Sequence, residues 1–149
     1  NDVKSLLGFK ALLDREFRNE IAFGKKVSAS GSRGGKFGAS NINDRNPETC
    51  WSLKDGETSG ELIIDLGSET EVNRILIQEF IKLGQRVQEF HIEAFENDKW
   101  VPVLEGTTIG YKVIRRFPIV KASKIKIIIS KSKACPVISN VELYRAPGN

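Results

Sequence analysis

Within the stretch FGASNINDRNPETCWS, residues 37–52, the chain gathers Asn41, Asn43, Asp44, Asn46, Glu48 and Thr49 just ahead of Trp51. Side-chain oxygen at that density suits an acid–base site, a cation site or a plain solvated turn. Hard cations such as Ca2+ take about six to eight oxygen ligands from carboxylates, side-chain amides, hydroxyls and backbone carbonyls. The loop offers all four kinds, and Pro47 helps fix a tight turn that could aim carbonyls inward. Its spacing departs from the D-x-[DN]-x-[DN]-G pattern of EF-hand loops. On composition alone a solvated turn is the stronger reading.

Nucleophilic or acid–base chemistry needs partners that the chain does not supply in any local pattern. His91 is the single histidine, and it alternates with apolar residues in VQEFHIEAF, which puts it on the outer face of a strand. No spacing brings Cys50 or Cys135 to it, as a Cys–His or Ser–His–Asp site would require. The 19 Asp and Glu residues lie mostly on polar strand faces and turns, with no signature that singles out a pair. The Gly-rich loop GSRGGK, residues 31–36, lacks the spacings of phosphate-binding loops. The chain therefore reads as a non-catalyst.

The elements that would position the loop are mostly strands. ELIIDLG alternates Leu62, Ile64 and Leu66 inward and stops at Gly67, and VNRILIQEF places Val72, Ile75 and Ile77 among polar residues. VQEFHIEAF turns Phe90, Ile92 and Ala94 against Glu89, His91 and Glu93. KWVPVLEG, YKVIRRFPIV, SKIKIIIS and VISNVELYR follow, separated by turn-forming runs such as ENDK, EGTTIG and KSKACP. Short strands at close spacing, with no helix between them, predict an antiparallel β-sandwich. Ahead of them, NDVKSLLGFKALLDREFRNE reads as one helix. Asp2 is its N-cap, and Val3, Leu6, Leu7, Leu13 and Phe17 form the apolar stripe.

Length and composition agree with one domain. A chain of 149 residues, 40% hydrophobic and 28% charged, can bury a core without staples. No apolar run reaches the roughly 20 residues needed to cross a bilayer. The absence of Met is what a processed or excised piece would show. The net charge of +4 is mild, and Lys124 and Lys126 alternate with Ile125 and Ile127. That is a solvated strand face and not a nucleic-acid patch, because no aromatic residues interleave with the charges. Cys50 and Cys135 have neither metal-site spacing nor a disulfide-framework count, and two buried free thiols are expected.

The run FGASNINDRNPETCWS…SGELIIDLG, with the closing ISNVELY, resembles discoidin domains, also called coagulation factor V/VIII type C domains, which overlap with family 32 carbohydrate-binding modules. ASGSRGGKFGASNINDRNPETCW, IQEFIKLGQRVQEFHIEAF, GTTIGYKVIRRFP and SKACPVISNVELY together resemble the C-terminal domain of bacterial α-L-fucosidases of glycoside hydrolase family 29. The resemblance implies an all-β, antiparallel jelly-roll β-sandwich of the galactose-binding-domain type, preceded by one N-terminal helix. Residues 1–22 would be helix and linker from an upstream catalytic domain, and residues 23–149 the sandwich. The carboxylates of a retaining fucosidase would then lie upstream.

The resemblance also implies a structural Ca2+. Asn41 and Asn46 would give backbone carbonyls, Asp44 a carboxylate, Thr49 its hydroxyl, Ser139 a carbonyl and Asn140 an amide oxygen. Asn140 stands where the family usually has Glu, which removes one negative charge. The galactose-binding residues of relatives do not transfer. Their positions hold Ser52, Phe80 and Gly84, and the sugar-stacking aromatic falls at Asp55. Phe80, Lys82 and Gln85 still occupy the rim where such sandwiches bind ligands, and an aromatic with polar neighbours can bind a pyranose.

The resulting expectation is a non-catalytic accessory domain of a periplasmic or secreted bacterial α-L-fucosidase. It would position or stabilise the catalytic domain of the same polypeptide and bind fucosylated or other glycans. The rival is an autonomous lectin-like carbohydrate-binding module. The polar loops GSRGGK, KDGETSG and ENDK argue against a membrane-surface module.

Overall fold

The computed structural model describes residues 20–147. The helix expected over residues 1–20 lies outside the described residues except for Glu20, which bridges to Tyr144. The strands are β1 (Lys26–Ala29), β2 (Trp51–Ser52), β3 (Gly60–Glu79), β4 (Val87–Glu96), β5 (Lys99–Gly106), β6 (Val113–Ser132) and β7 (Val137–Tyr144). All recorded pairings are antiparallel, in the order β2-β7-β3-β6-β4-β5, with β1 pairing β3. The expected all-β sandwich is what the chain forms.

Where the sequence suggested separate short strands, the structure has two continuous 20-residue strands, β3 and β6, that serve both layers. The first half of β3 pairs with β1 and the far half of β6, and its second half with β7 and the near half of β6. The chain does not stop at Gly67 as expected. Its φ of 86° lets the backbone bend while the strand goes on, and register shifts follow between Asp65 and Thr70 and between Val72 and Arg74. The shifts also explain why Leu62, Ile64, Leu66, Val72, Ile75 and Ile77 are all buried although their spacing is not uniformly two.

The core lies between the layers. Trp51, Phe90, Ile92, Ile125, Ile127 and Ile129 are each no more than 1% exposed. Burial of side chains this size stabilises by roughly 1.5–3 kcal/mol apiece. The Trp51 indole donates to the Gly31 carbonyl at 2.9 Å, which meets the polar requirement of a buried ring. Gly106 is required by contact: a Cβ there would lie 2.5 Å from the Phe90 ring. The β4–β5 hairpin turns through Asn97 and Asp98, at φ 53° and 63°, the left-handed pair that matches strand twist.

The outer face of β4, β5 and β6 departs from expectation in one respect. Lys126 stands 4.1 Å over the Trp100 ring and Lys124 5.4 Å over Phe95, so aromatics do underlie the lysines. They come from neighbouring strands, which inspection of the lysine segment alone does not reveal. His91 lies on this face, with Glu89 Oε1 at 3.1 Å and Glu105 Oε2 at 3.5 Å. Its hydrogen bond holds the Glu89 carboxyl below the usual range. Cys50 and Cys135 are buried free thiols.

Candidate functional site

The oxygen-rich loop is built on a short 3-10 turn, Ala39–Asn43, whose Ile42 is fully buried and anchors it to the core. Asn43 is also buried and donates to the Ala22 and Lys25 carbonyls at 2.7 and 2.8 Å. Asn41 donates its amide hydrogens to the Lys36 and Cys50 carbonyls, closing both ends of the loop. Beyond Asp44 the chain turns through Arg45 at φ 56°, a left-handed value that costs a side-chain-bearing residue energy.

That turn brings oxygens together around Thr49. Asp44 Oδ2 lies 2.6 Å from the Thr49 hydroxyl, the Asn46 carbonyl 3.1 Å and the Asn41 carbonyl 3.4 Å. One hydroxyl proton cannot serve three acceptors. Four of the expected ligand residues, Asn41, Asp44, Asn46 and Thr49, thus converge. Ser139 and Asn140 stand on β7 beside Asn46, on the wall of the adjoining cavity. Asn140 gives its amide hydrogens to Gln78 Oε1 at 2.9 Å and Glu142 Oε2 at 2.6 Å, so Oδ1 is its remaining polar atom. Among the described residues no three His, Cys, Asp or Glu side chains are placed to hold a metal. Any ion here would rest on carbonyl, hydroxyl and amide oxygen with the Asp44 carboxylate.

The adjoining cavity is about 410 Å³ and lies where the loop, the end of β3 and β7 meet. Of the three residues named for a ligand rim, Phe80 and Lys82 line it, and Gln85 sits close to Gly110. Sequence reasoning missed Arg45, Gln78, Glu79, Tyr111 and Glu142, which complete the walls. Tyr111 is 64% exposed, a large aromatic left open on a loop. Lys82 pairs with Glu48 at 3.0 Å across the mouth. Arg45 stacks 4.0 Å over Phe23 and faces Glu20 at 3.8 Å, so its guanidinium is held in place. Gln78 and Asn140 are paired across β3 and β7, and period-2 alternation puts Glu142 on the same face as Asn140.

A second polar cluster is built around the turn that leads into β7. Arg33 pairs with Asp55, and its hydrogen bond holds the Asp55 carboxyl below the usual range. The Cys135 thiol sits between Arg33 and Arg86, at 3.4 and 3.3 Å. Asp55 is thus committed to an ion pair. Burial pushes the Cys50 thiol up.

Comparison with known proteins agrees with this architecture. The F5/8 type C domain model matches residues 26–143. The chain is 35% identical over 142 residues to an Oryza sativa subsp. japonica protein named as an α-L-fucosidase, covering 93% of this chain and 28% of that one. It spans under a third of such relatives: it covers 29% of Arabidopsis thaliana α-L-fucosidase 1, at 29% identity and 96% of its own length. Among solved structures, SpGH29 superposes with a TM-score of 0.87 at 29% identity, covering 99% of this chain and 32% of that one. The Ruminococcus gnavus GH29 fucosidase in complex with fucose gives 0.82 at 35%, over 90% of this chain and 28% of that one. Sandwich topology, loop and sequence match converge on one assignment: the chain belongs to the F5/8 type C domain family.

Proposed function

We propose that this chain is the non-catalytic accessory sandwich of an α-L-fucosidase polypeptide, and that the cavity between the 44–48 loop and β7 holds glycan. The observation that carries the reading is the cavity's composition. Phe80 and Tyr111 line it, and aromatic rings suit the apolar side of a pyranose. Gln78 accepts from the Asn140 amide through Oε1, which leaves Gln78 Nε2 to donate to a hydroxyl. The relatives' lengths support the parent assignment, since each extends well beyond this chain. The two carboxylates of glycoside hydrolysis would lie in that upstream part.

The same reading gives the loop a structural Ca2+. Asn41, Asp44, Asn46 and Thr49 would hold it, with Ser139 and Asn140 from β7. The ion would supply positive charge to oxygens that otherwise share one hydroxyl proton.

Calorimetric titration of the chain with L-fucose, D-galactose and N-acetyl-D-glucosamine tests the cavity. Binding of at least one sugar, lost in Phe80→Ala and Tyr111→Ala without loss of melting cooperativity, is expected. Absence of binding by all three, or binding that both variants retain, overturns the glycan reading.

A further inference from the structure

Glu79 lies at the end of β3, is 2% exposed, and forms part of the cavity lining between Gln78 and Phe80. Its carboxylate accepts from backbone amides at two separate places, the start of β4 and the loop before β6. Oε1 takes the Arg86 and Val87 N–H groups at 2.8 and 3.0 Å, and Oε2 takes Gly110 N–H at 2.8 Å. The Glu79 amide donates back to the Gly110 carbonyl at 3.1 Å. These acceptor bonds tie the start of β4 to the loop before β6.

Residue type matters at this position. Gln would present an NH2 group to a backbone N–H on one side, because an amide has one acceptor oxygen where a carboxylate has two. Asp lacks the methylene needed to span both places from the same Cα. The ring walls adjoin these contacts: Phe80 follows Glu79 directly, and Tyr111 follows Gly110, which turns at φ 66°. Tyr111 is exposed, yet its backbone is tied one residue earlier to a buried group.

We propose that Glu79 is the positioning residue of the saccharide cavity, fixing the Phe80 and Tyr111 walls before the ligand arrives. The inference rests on the glycan reading above and adds the group that preorganises the site. Preorganisation raises affinity by removing the ordering cost from the binding step.

The test compares the wild-type chain with Glu79→Gln and with Ile77→Val, a core change that lowers stability without touching the loops. Affinity is measured for whichever of the three sugars the wild type binds, and amide hydrogen exchange is followed at Arg86, Val87 and Gly110. Glu79→Gln is expected to weaken binding about tenfold and to speed exchange at those amides. Ile77→Val should keep wild-type affinity. Unchanged affinity in Glu79→Gln, or equal weakening in Ile77→Val, overturns the positioning role and leaves the cavity reading standing. Should Glu79→Gln not fold, exchange in the sugar-free wild type decides. Protection of Gly110 equal to that of Ile77 supports the role, and exchange as fast as at exposed Gly56 overturns it. A wild-type chain that binds none of the sugars overturns the cavity reading first, and this inference with it.

Discussion

The Thr49 hydroxyl donates to Asp44 Oδ2 at 2.6 Å, and the carbonyls of Asn46 and Asn41 crowd the same oxygen. A cation bound only by the folded loop stabilises by RT ln(1 + [L]/Kd), about 2.7 kcal/mol at a hundredfold excess over Kd. Added Ca2+ should therefore raise the melting temperature, and chelator should lower it. Asp44→Ala should abolish the response, Thr49→Ala should shrink it, and Asn140→Glu should enlarge it by restoring a charge. A melting curve indifferent to both reagents, in protein shown to be metal-free by elemental analysis, would return the loop to a solvated turn.

The pair of Arg33 and Asp55 makes a prediction about acid. Asp55 is depressed chiefly by the Arg33 hydrogen bond, so its contribution is complete above the ordinary Asp value of about 3.9. It is lost as pH falls through the lower folded value. Melting temperature followed downward from about pH 6 should fall less steeply in Asp55→Asn than in the wild type. The difference should be small and should fade with added salt, because the Asp55 side chain is 88% exposed. Parallel curves would show that the pair does not contribute.

Gly106→Ala should destabilise the fold by about 1–3 kcal/mol, the usual cost of overpacking a filled core. The new methyl would meet the Phe90 ring at 2.5 Å, and Phe90 is fully buried. Urea unfolding monitored by tryptophan fluorescence measures it; a midpoint equal to wild type would mean that β5 can shift away.

Cys50 should resist thiol reagents in the native state. The reactive species is the thiolate, and burial both raises this thiol and leaves it 4% exposed. Modification at the rate of an exposed cysteine, while the fold is intact by circular dichroism, would contradict the structure around it.

Period-two alternation made Leu62, Ile64, Leu66, Phe90, Ile92 and Ala94 readable as inward residues, and all of them are buried. Alternation could not reveal that β3 continues past Gly67, because a bend inside a ladder and a strand end share the same local signal. The oxygen-rich loop was visible because its residues are neighbours in sequence. Half of the cavity was not. Gln78 meets Asn140 through the β3–β7 register, and Tyr111 arrives through Gly110 and Glu79, so neither relation fits in a short window. Phe80, Lys82 and Gln85 were named together from the rim that the resemblance implies; Phe80 and Lys82 line the cavity, and Gln85 sits close to Gly110.

Because β3 and β6 pair from Gly60 opposite Ile129 to Ile77 opposite Val113, the hairpin they form encloses all of β4 and β5. The chain must therefore close a long segment before its central ladder can begin to form. Local turns such as Asn97–Asp98 can form early but cannot by themselves assemble either layer. Folding should accordingly be slow for a domain of this size, with relaxation in the range of about milliseconds to seconds typical of sandwiches rich in distant contacts. Until that ladder closes, the isoleucine-rich half of β6 is an unpaired, apolar strand edge. During folding, this is the segment that most needs protection from pairing with another chain.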